Sequence, residues 1–232
     1  MTILVLQAYP TEAEQACLGT LSACVQRGDT VVICSMTNGN ASHKSLSADQ
    51  LRMVRMVEAT SSASLVGASY SALDVDEHLY GQQDQKVVLK LVNTLRHLRP
   101  QLVFTHSPQS LNPVKQATNM LLRQSLLAAS HLHVHTDAEV LKQMPVIYYM
   151  ESPSEKLEYL SEYVDISDTL NQKIEALTLH ASQVEVMEEK GLQMVREVEL
   201  LASYRGLQSN VRFAEAFCFA SGQRALTKRL LP

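Results

Sequence analysis

The residues able to do chemistry are concentrated in a few short stretches. His131-Leu132-His133-Val134-His135 alternates imidazoles with apolar residues. On a strand the three rings would share one face, a spacing that can support a metal; the competing reading is chance clustering at a helix–strand connection. Asp74-Val75-Asp76-Glu77-His78 is acidic and reads as a solvated loop rather than a second cation site. Tyr9, Asn38, Ser107, Gln109, Ser110 and Asn112 carry hydroxyls and amides able to hydrogen-bond a neutral polar ligand. Each of these also has a plainer role open to it: Asn112 as a helix cap, Asn38 in a turn, Tyr9 as packing. GxSxG, GxGxxG and GxxxxGK[ST] are all absent, so serine hydrolysis and nucleotide binding have no motif support.

The elements that must position these residues alternate. A short apolar β-branched run at 2–8 and further runs at 30–36, 101–105, 145–150 and 214–219 predict strands, with a weaker one near 69–75. Helical periodicity covers about 12–27, 47–62, 85–98 and 113–129, with Asn112-Pro113 as N-cap and first helical residue of the last. Two longer helical patterns follow, at about 167–190 and 192–204. Strands alternating with helices of this length imply crossover units and a mostly parallel sheet. The expectation is therefore one α/β domain over residues 1–232, a Rossmann-like three-layer sandwich, with C-terminal helices over about 167–208 packing on the same core. In such sheets sites lie beyond the carboxyl ends of the strands. The loops at 7–12, 36–46, 75–84 and 105–115 are the places to look.

Composition narrows the partners. Twenty basic residues stand against 24 acidic ones with no dense Lys/Arg block, which argues against a nucleic-acid-binding face. No apolar run is long enough to span a bilayer, and Met1-Thr2-Ile3-Leu4-Val5-Leu6 reads as a strand rather than a signal peptide. Cys17, Cys24, Cys34 and Cys218 show no CxxC spacing, as expected of reduced thiols in a cytoplasmic protein.

At two of those loops the sequence resembles the LmbE-like (PIG-L) de-N-acetylases. The run Ile3 to Leu21 is similar to that family's opening of a strand, AHPDDE and a stretch such as ExGCGGTL, with Ala8, Pro10, Glu14, Cys17, Gly19, Thr20 and Leu21 in register. Met36-Thr37-Asn38-Gly39 resembles its T-D-G, and Arg55-Met56-Val57-Glu58-Ala59 its R-x-x-E-A helix. Arg99 to Pro108 resembles the strand before its second motif. Val164 to Asp168, His180 to Gln183 and Ala214 to Phe217 resemble its C-terminal landmarks.

The resemblance implies a zinc-dependent hydrolase of N-acetyl groups on amino sugars, and often a homo-oligomer. It also implies zinc held by the His and second Asp of AHPDDE and the last His of HPDH, with the first Asp as general base. Here those positions carry Tyr9, Glu12, Lys115 and Thr11, and Asn112 stands at the first His of HPDH. A catalytic zinc needs three N/O ligands and an open position for water, and a carboxylate must take the water's proton. The expectation is a non-catalytic relative with no zinc that binds a carbohydrate-like ligand, such as a sugar or nucleotide-sugar, or a protein partner in amino-sugar or glycan metabolism, with Glu12 and Lys115 forming an ion pair at the former metal site. Tyr9, Glu12, Asn38, Ser107, Ser110, Asn112 and Lys115 would line its ligand site. The alternative is an amide hydrolase with an altered or relocated metal.

Overall fold

The structure is a computed structural model that describes residues 1–80, 85–157 and 159–220. In chain order its elements are β1 (Thr2–Gln7), α1 (Glu12–Ala16), α2 (Leu18–Gln26), β2 (Thr30–Thr37), α3 (Ala48–Leu65), β3 (Ser69–Val75), α4 (Gln85–Leu98), β4 (Leu102–Thr105), α5 (Pro113–Ala129), β5 (Val146–Met150), β6 (Glu162–Asp165), α6 (Leu170–Thr178), α7 (Ala181–Glu189), α8 (Met194–Ser209) and β7 (Ala214–Phe219). Part of the loop expected to flank the site at 75–84 lies outside the described residues, at 81–84.

The sheet runs β3-β2-β1-β4-β5-β7-β6, parallel from β3 to β5 and antiparallel where β7 joins β5 and β6. Its central strands are apolar throughout because both faces are covered. On β1, Ile3 and Val5 enter one core with Leu18, Leu21 and Phe104, whereas Leu4 and Leu6 enter the other with Leu95, Leu122 and Val103. The fold is thus α/β with three layers, helices on either side of a mostly parallel sheet.

Local chemistry sets the helix starts. Ser47 and Gln50 form a reciprocal capping box at α3, and Asn112 Oδ1 accepts from the Val114 and Lys115 amides at α5.

Three sequence expectations need correction. The helix expected over 12–27 is two helices broken at Cys17, because Gly19 N and Thr20 N at the start of α2 donate to the Glu215 carboxylate on β7, at 3.0 and 2.7 Å. Gly19 has no room for a side chain there, since a Cβ would sit 2.8 Å from Ile166. The helix expected over 167–190 is likewise two, α6 and α7, separated at His180. His131, His133 and His135 lie in the loop and turn after α5 rather than on a strand, so the shared-face premise for a metal there fails. The sequence reading also passed over β6, a four-residue strand.

Candidate functional site

Strand order reverses between β1 and β4, and the chains leaving their carboxyl ends diverge to opposite sides of the sheet. That is where open α/β sheets place ligands. From β1 the chain turns through Ala8-Tyr9-Pro10 into Thr11, which is buried and held at φ 94°. A β-branched residue rarely occupies this left-handed region. The turn swings the Glu12 side chain back under its own loop, where Oε2 accepts from Ala8 N and Tyr9 N, both at 2.9 Å. From β4 comes His106, whose Nε2 lies 2.9 Å from the same oxygen and 3.0 Å from Ala8 N.

The other oxygen, Glu12 Oε1, faces α5. There Lys115 Nζ stands 3.3 Å away and also donates to Glu155 Oε2 at 2.8 Å, from the loop after β5. Lys115 is one turn into α5, and the Asn112 cap fixes the start of that helix. Burial alone would push the Glu12 carboxyl up, but His106, Lys115 and the Tyr9 amide outweigh it and hold the group at about 2. Burial would likewise depress Lys115, yet the flanking Glu12 and Glu155 carboxylates raise it above its ordinary value. At Tyr9, burial is the main reason that the phenol is pushed up to about 12, against a hydrogen bond with Asn112.

Two clefts open above this cluster. One, of about 270 Å³, is lined among others by Tyr9, Thr11, Glu12, Arg55, Glu77 and Gln183. The other, of about 680 Å³, is lined by Ser107, Gln109, Ser110, Leu111, Glu155 and Lys156 among others. Asn112, Lys115 and Ser154 line both, so the ion cluster stands at their junction.

Of the residues expected at a ligand site, the structure brings Tyr9, Glu12, Ser107, Ser110, Asn112 and Lys115 to these walls, with Thr11 beside them. Asn38 is not on either wall: it donates to Asp74 and accepts from Asn40 N. Asn112 has both roles, cap and wall. Asp74 and Asp76 are engaged by Arg52, Asn38 and Asn40 rather than gathered around a cation position.

Sequence reasoning assigned no role to His106, Glu155 or Arg55. His106 directly follows β4, within the run from Arg99 to Pro108; Glu155 sits in a loop that no motif marks. Arg55 is buried on α3 and its guanidinium bonds Gly39 O, Ser42 and Gln183, while Glu58 accepts from Ser182 N and Oγ at 2.8 and 2.7 Å. Two motifs more than 120 residues apart therefore meet at one wall.

These donors do not fit a catalytic zinc. At the three ligand positions, Tyr9 is a phenol held well above neutral pH, Lys115 is an ammonium between two carboxylates, and Glu12 has one oxygen fully engaged by amides. Thr11, at the position of the base, offers a hydroxyl that accepts weakly from Gln15 at 3.3 Å. Among the described residues no group of three or more His, Cys, Asp and Glu is placed to hold a metal.

Residues 4–125 match the model of the PIG-L family, GlcNAc-PI de-N-acetylase. Among solved structures, the chain is similar to 4-carboxy-2-hydroxymuconate hydratase GalB from Pseudomonas putida KT2440, with a TM-score of 0.82 and 18% identity over 99% of each chain. It is similar as well to the N,N'-diacetylchitobiose deacetylase of Pyrococcus horikoshii, with a TM-score of 0.80 and 22% identity over 95% of this chain and 84% of the other. A deacetylase of the teicoplanin biosynthetic pathway follows the same fold, with a TM-score of 0.69 and 13% identity over 96% and 100%.

Proposed function

Because the chain belongs to the PIG-L, GlcNAc-PI de-N-acetylase, family, we propose that it is a non-catalytic relative of the N-acetyl-sugar deacetylases that binds a carbohydrate-like ligand in the cleft above β1 and β4. The observation that carries this reading is the Lys115 ammonium held between Glu12 and Glu155. It uses the one carboxylate left from the metal set, and Thr11, at the position of the general base, has no carboxylate to take a proton from water. What remains is suited to recognition. Tyr9, Ser107, Ser110, Asn112 and Ser154 present hydroxyls and an amide along walls that also carry the apolar Leu111 and Met187. The reading extends to one domain over residues 1–232 acting in amino-sugar or glycan metabolism in the cytoplasm. Four buried, unpaired cysteines are consistent with that compartment. It also includes a homo-oligomer, for which Leu200, Tyr204 and Leu207 on the exposed side of α8 offer an apolar face.

The test is thermal shift against amino sugars, N-acetylated amino sugars and nucleotide-sugars, with acetate release measured in parallel in zinc-containing buffer. A saturable rise in Tm without acetate supports the reading. Acetate release that scales with protein concentration overturns it.

One observation favours a second reading, an enzyme with altered chemistry at the same cleft. Glu12, His106, Lys115 and Glu155 keep four ionisable groups within one contact network at the cleft floor, and clustered titratable groups in a cleft are a common mark of catalysis. The fold also serves a hydratase as well as deacetylases, so it does not fix the reaction. Turnover of any amide or enol substrate that is lost in Glu12→Gln decides for this alternative.

A further inference from the structure

We propose that Lys115 is a built-in replacement for a divalent ion: clamped by Glu12 and Glu155, its ammonium excludes metal from the cleft floor and offers its remaining N–H to a ligand oxygen where the two clefts meet. Glu155 is the new member of this site, and it comes from a segment that carries no recognised motif. The inference concerns the ion rather than the ligand, and it holds whether or not that ligand is a sugar.

The charge count supports it. A buried carboxylate, Glu12, and a partly buried one, Glu155, facing each other across a gap need a cation between them, because like charges in a desolvated site repel. A divalent ion would balance both. A single ammonium balances one, and the remainder is absorbed by the Ala8 and Tyr9 amides and by His106, all gathered on Glu12 Oε2. Glu12 Oε1 and Glu155 Oε2 are left for Lys115, at 3.3 and 2.8 Å.

The geometry of the donor supports it too. An ammonium has three hydrogens, and two of them have carboxylate partners here. Lys115 lines both clefts, so its third donor remains for a ligand at their junction. Glu155 Oε1 is buried and has no hydrogen-bond partner, an acceptor left open beside that donor. A hydroxyl, which both donates and accepts, satisfies the two together. The ammonium can thus polarise a ligand oxygen as a metal would, but it brings no bound water to activate.

The decisive experiment is elemental analysis after dialysis against zinc and then zinc-free buffer, on the wild type and on Lys115→His and Tyr9→His/Lys115→His, with Tm read with and without zinc. The wild type is expected to retain less than a tenth of an equivalent, and its Tm to be unmoved by zinc or chelator. Either variant is expected to retain close to one zinc per chain and to gain roughly 5 °C at zinc a hundredfold above its Kd. One tightly held zinc in the wild type overturns the proposal. So do variants that fold and remain blind to zinc. If the variants fail to fold, a Glu155→Gln protein decides instead. Its Lys115 keeps one carboxylate, so it should still exclude zinc while losing ligand-induced stabilisation at least tenfold. Zinc uptake by Glu155→Gln would count against the proposal. Absence of any ligand response in a wild type that excludes zinc would sink the binding function above while leaving the exclusion of metal standing.

Discussion

Two buried lysines among the described residues, Lys173 and Lys115, are paired with glutamates, and the two clusters are put to different ends. Lys173 Nζ on α6 bonds Glu215 Oε1 at 2.5 Å and Gln15 O at 3.0 Å, while the two Glu215 oxygens take the Gly19 and Thr20 amides of α2. Both side chains are 2% exposed, and the void beside them is about 10 Å³, no more than a single water needs. Lys115 and Glu12 are each 8% exposed, and they look into clefts of about 270 and 680 Å³. In the sealed cluster every carboxylate oxygen is used. In the open one a donor hydrogen and the Glu155 Oε1 acceptor are not. A fully satisfied buried ion pair joins elements together, here α1, α2, α6 and β7. One with unspent valences above a cavity marks a place for something else to bind.

The sharpest way to break this comparison is Lys173→Met. It leaves the Glu215 charge with only the Gly19 and Thr20 amides and no solvent, and a loss of about 3–5 kcal/mol in urea denaturation is expected. An unchanged midpoint would remove the structural role. Next comes acid. Glu12 is held at about 2 against an ordinary 4.5. Its contribution is therefore complete above pH 4.5 and is lost as pH falls towards 2, on the order of 3 kcal/mol. Urea midpoints between pH 2 and 5 should fall less steeply in Glu12→Gln than in the wild type. Parallel curves would mean that the carboxylate is not the group responsible.

Lys115→Met should cost less than Lys173→Met, about 1–2 kcal/mol, since Glu12 keeps two amides and His106 and the cleft admits water. Equal losses at the two lysines would erase the distinction drawn here. The smallest effect is at Thr11, whose φ of 94° is strained for a β-branched side chain. Thr11→Asn, a residue that tolerates this region, should raise stability by about 1 kcal/mol, read as a shifted denaturation midpoint.

What could be read from sequence follows the range of the forces involved. The strands of the central sheet announced themselves because residues such as Ile3, Leu4, Val5 and Leu6 are buried on both faces, and Asn112-Pro113 marked a helix start by local capping alone. The break at Cys17 was hidden, because the carboxylate that caps α2 arrives from residue 215. β6 was hidden as well, since Glu162-Tyr163-Val164-Asp165 is a strand chiefly through its pairing with β7. At the site, Tyr9, Thr11, Glu12, Asn112 and Lys115 were found because they stand where a family pattern expects other residues. Glu155 had no pattern to depart from, and only the three-dimensional path of its loop brings it to Lys115. His106 was visible but mute, because nothing in its neighbours signals that it reaches across to a carboxylate 94 positions earlier.

The place of β7 has a consequence for how the chain reaches its folded state. It runs antiparallel between β5 and β6, so those two strands, although consecutive, are never neighbours. During synthesis β6 has no partner until residues 214–219 emerge, and Lys173 waits for Glu215 over the same interval. The far end of the sheet must therefore close late and through contacts of long sequence separation, the slowest class to form. A ribosome-stalled chain ending before Ala214 should expose the edges of both β5 and β6 and depend on a chaperone until the last strand arrives.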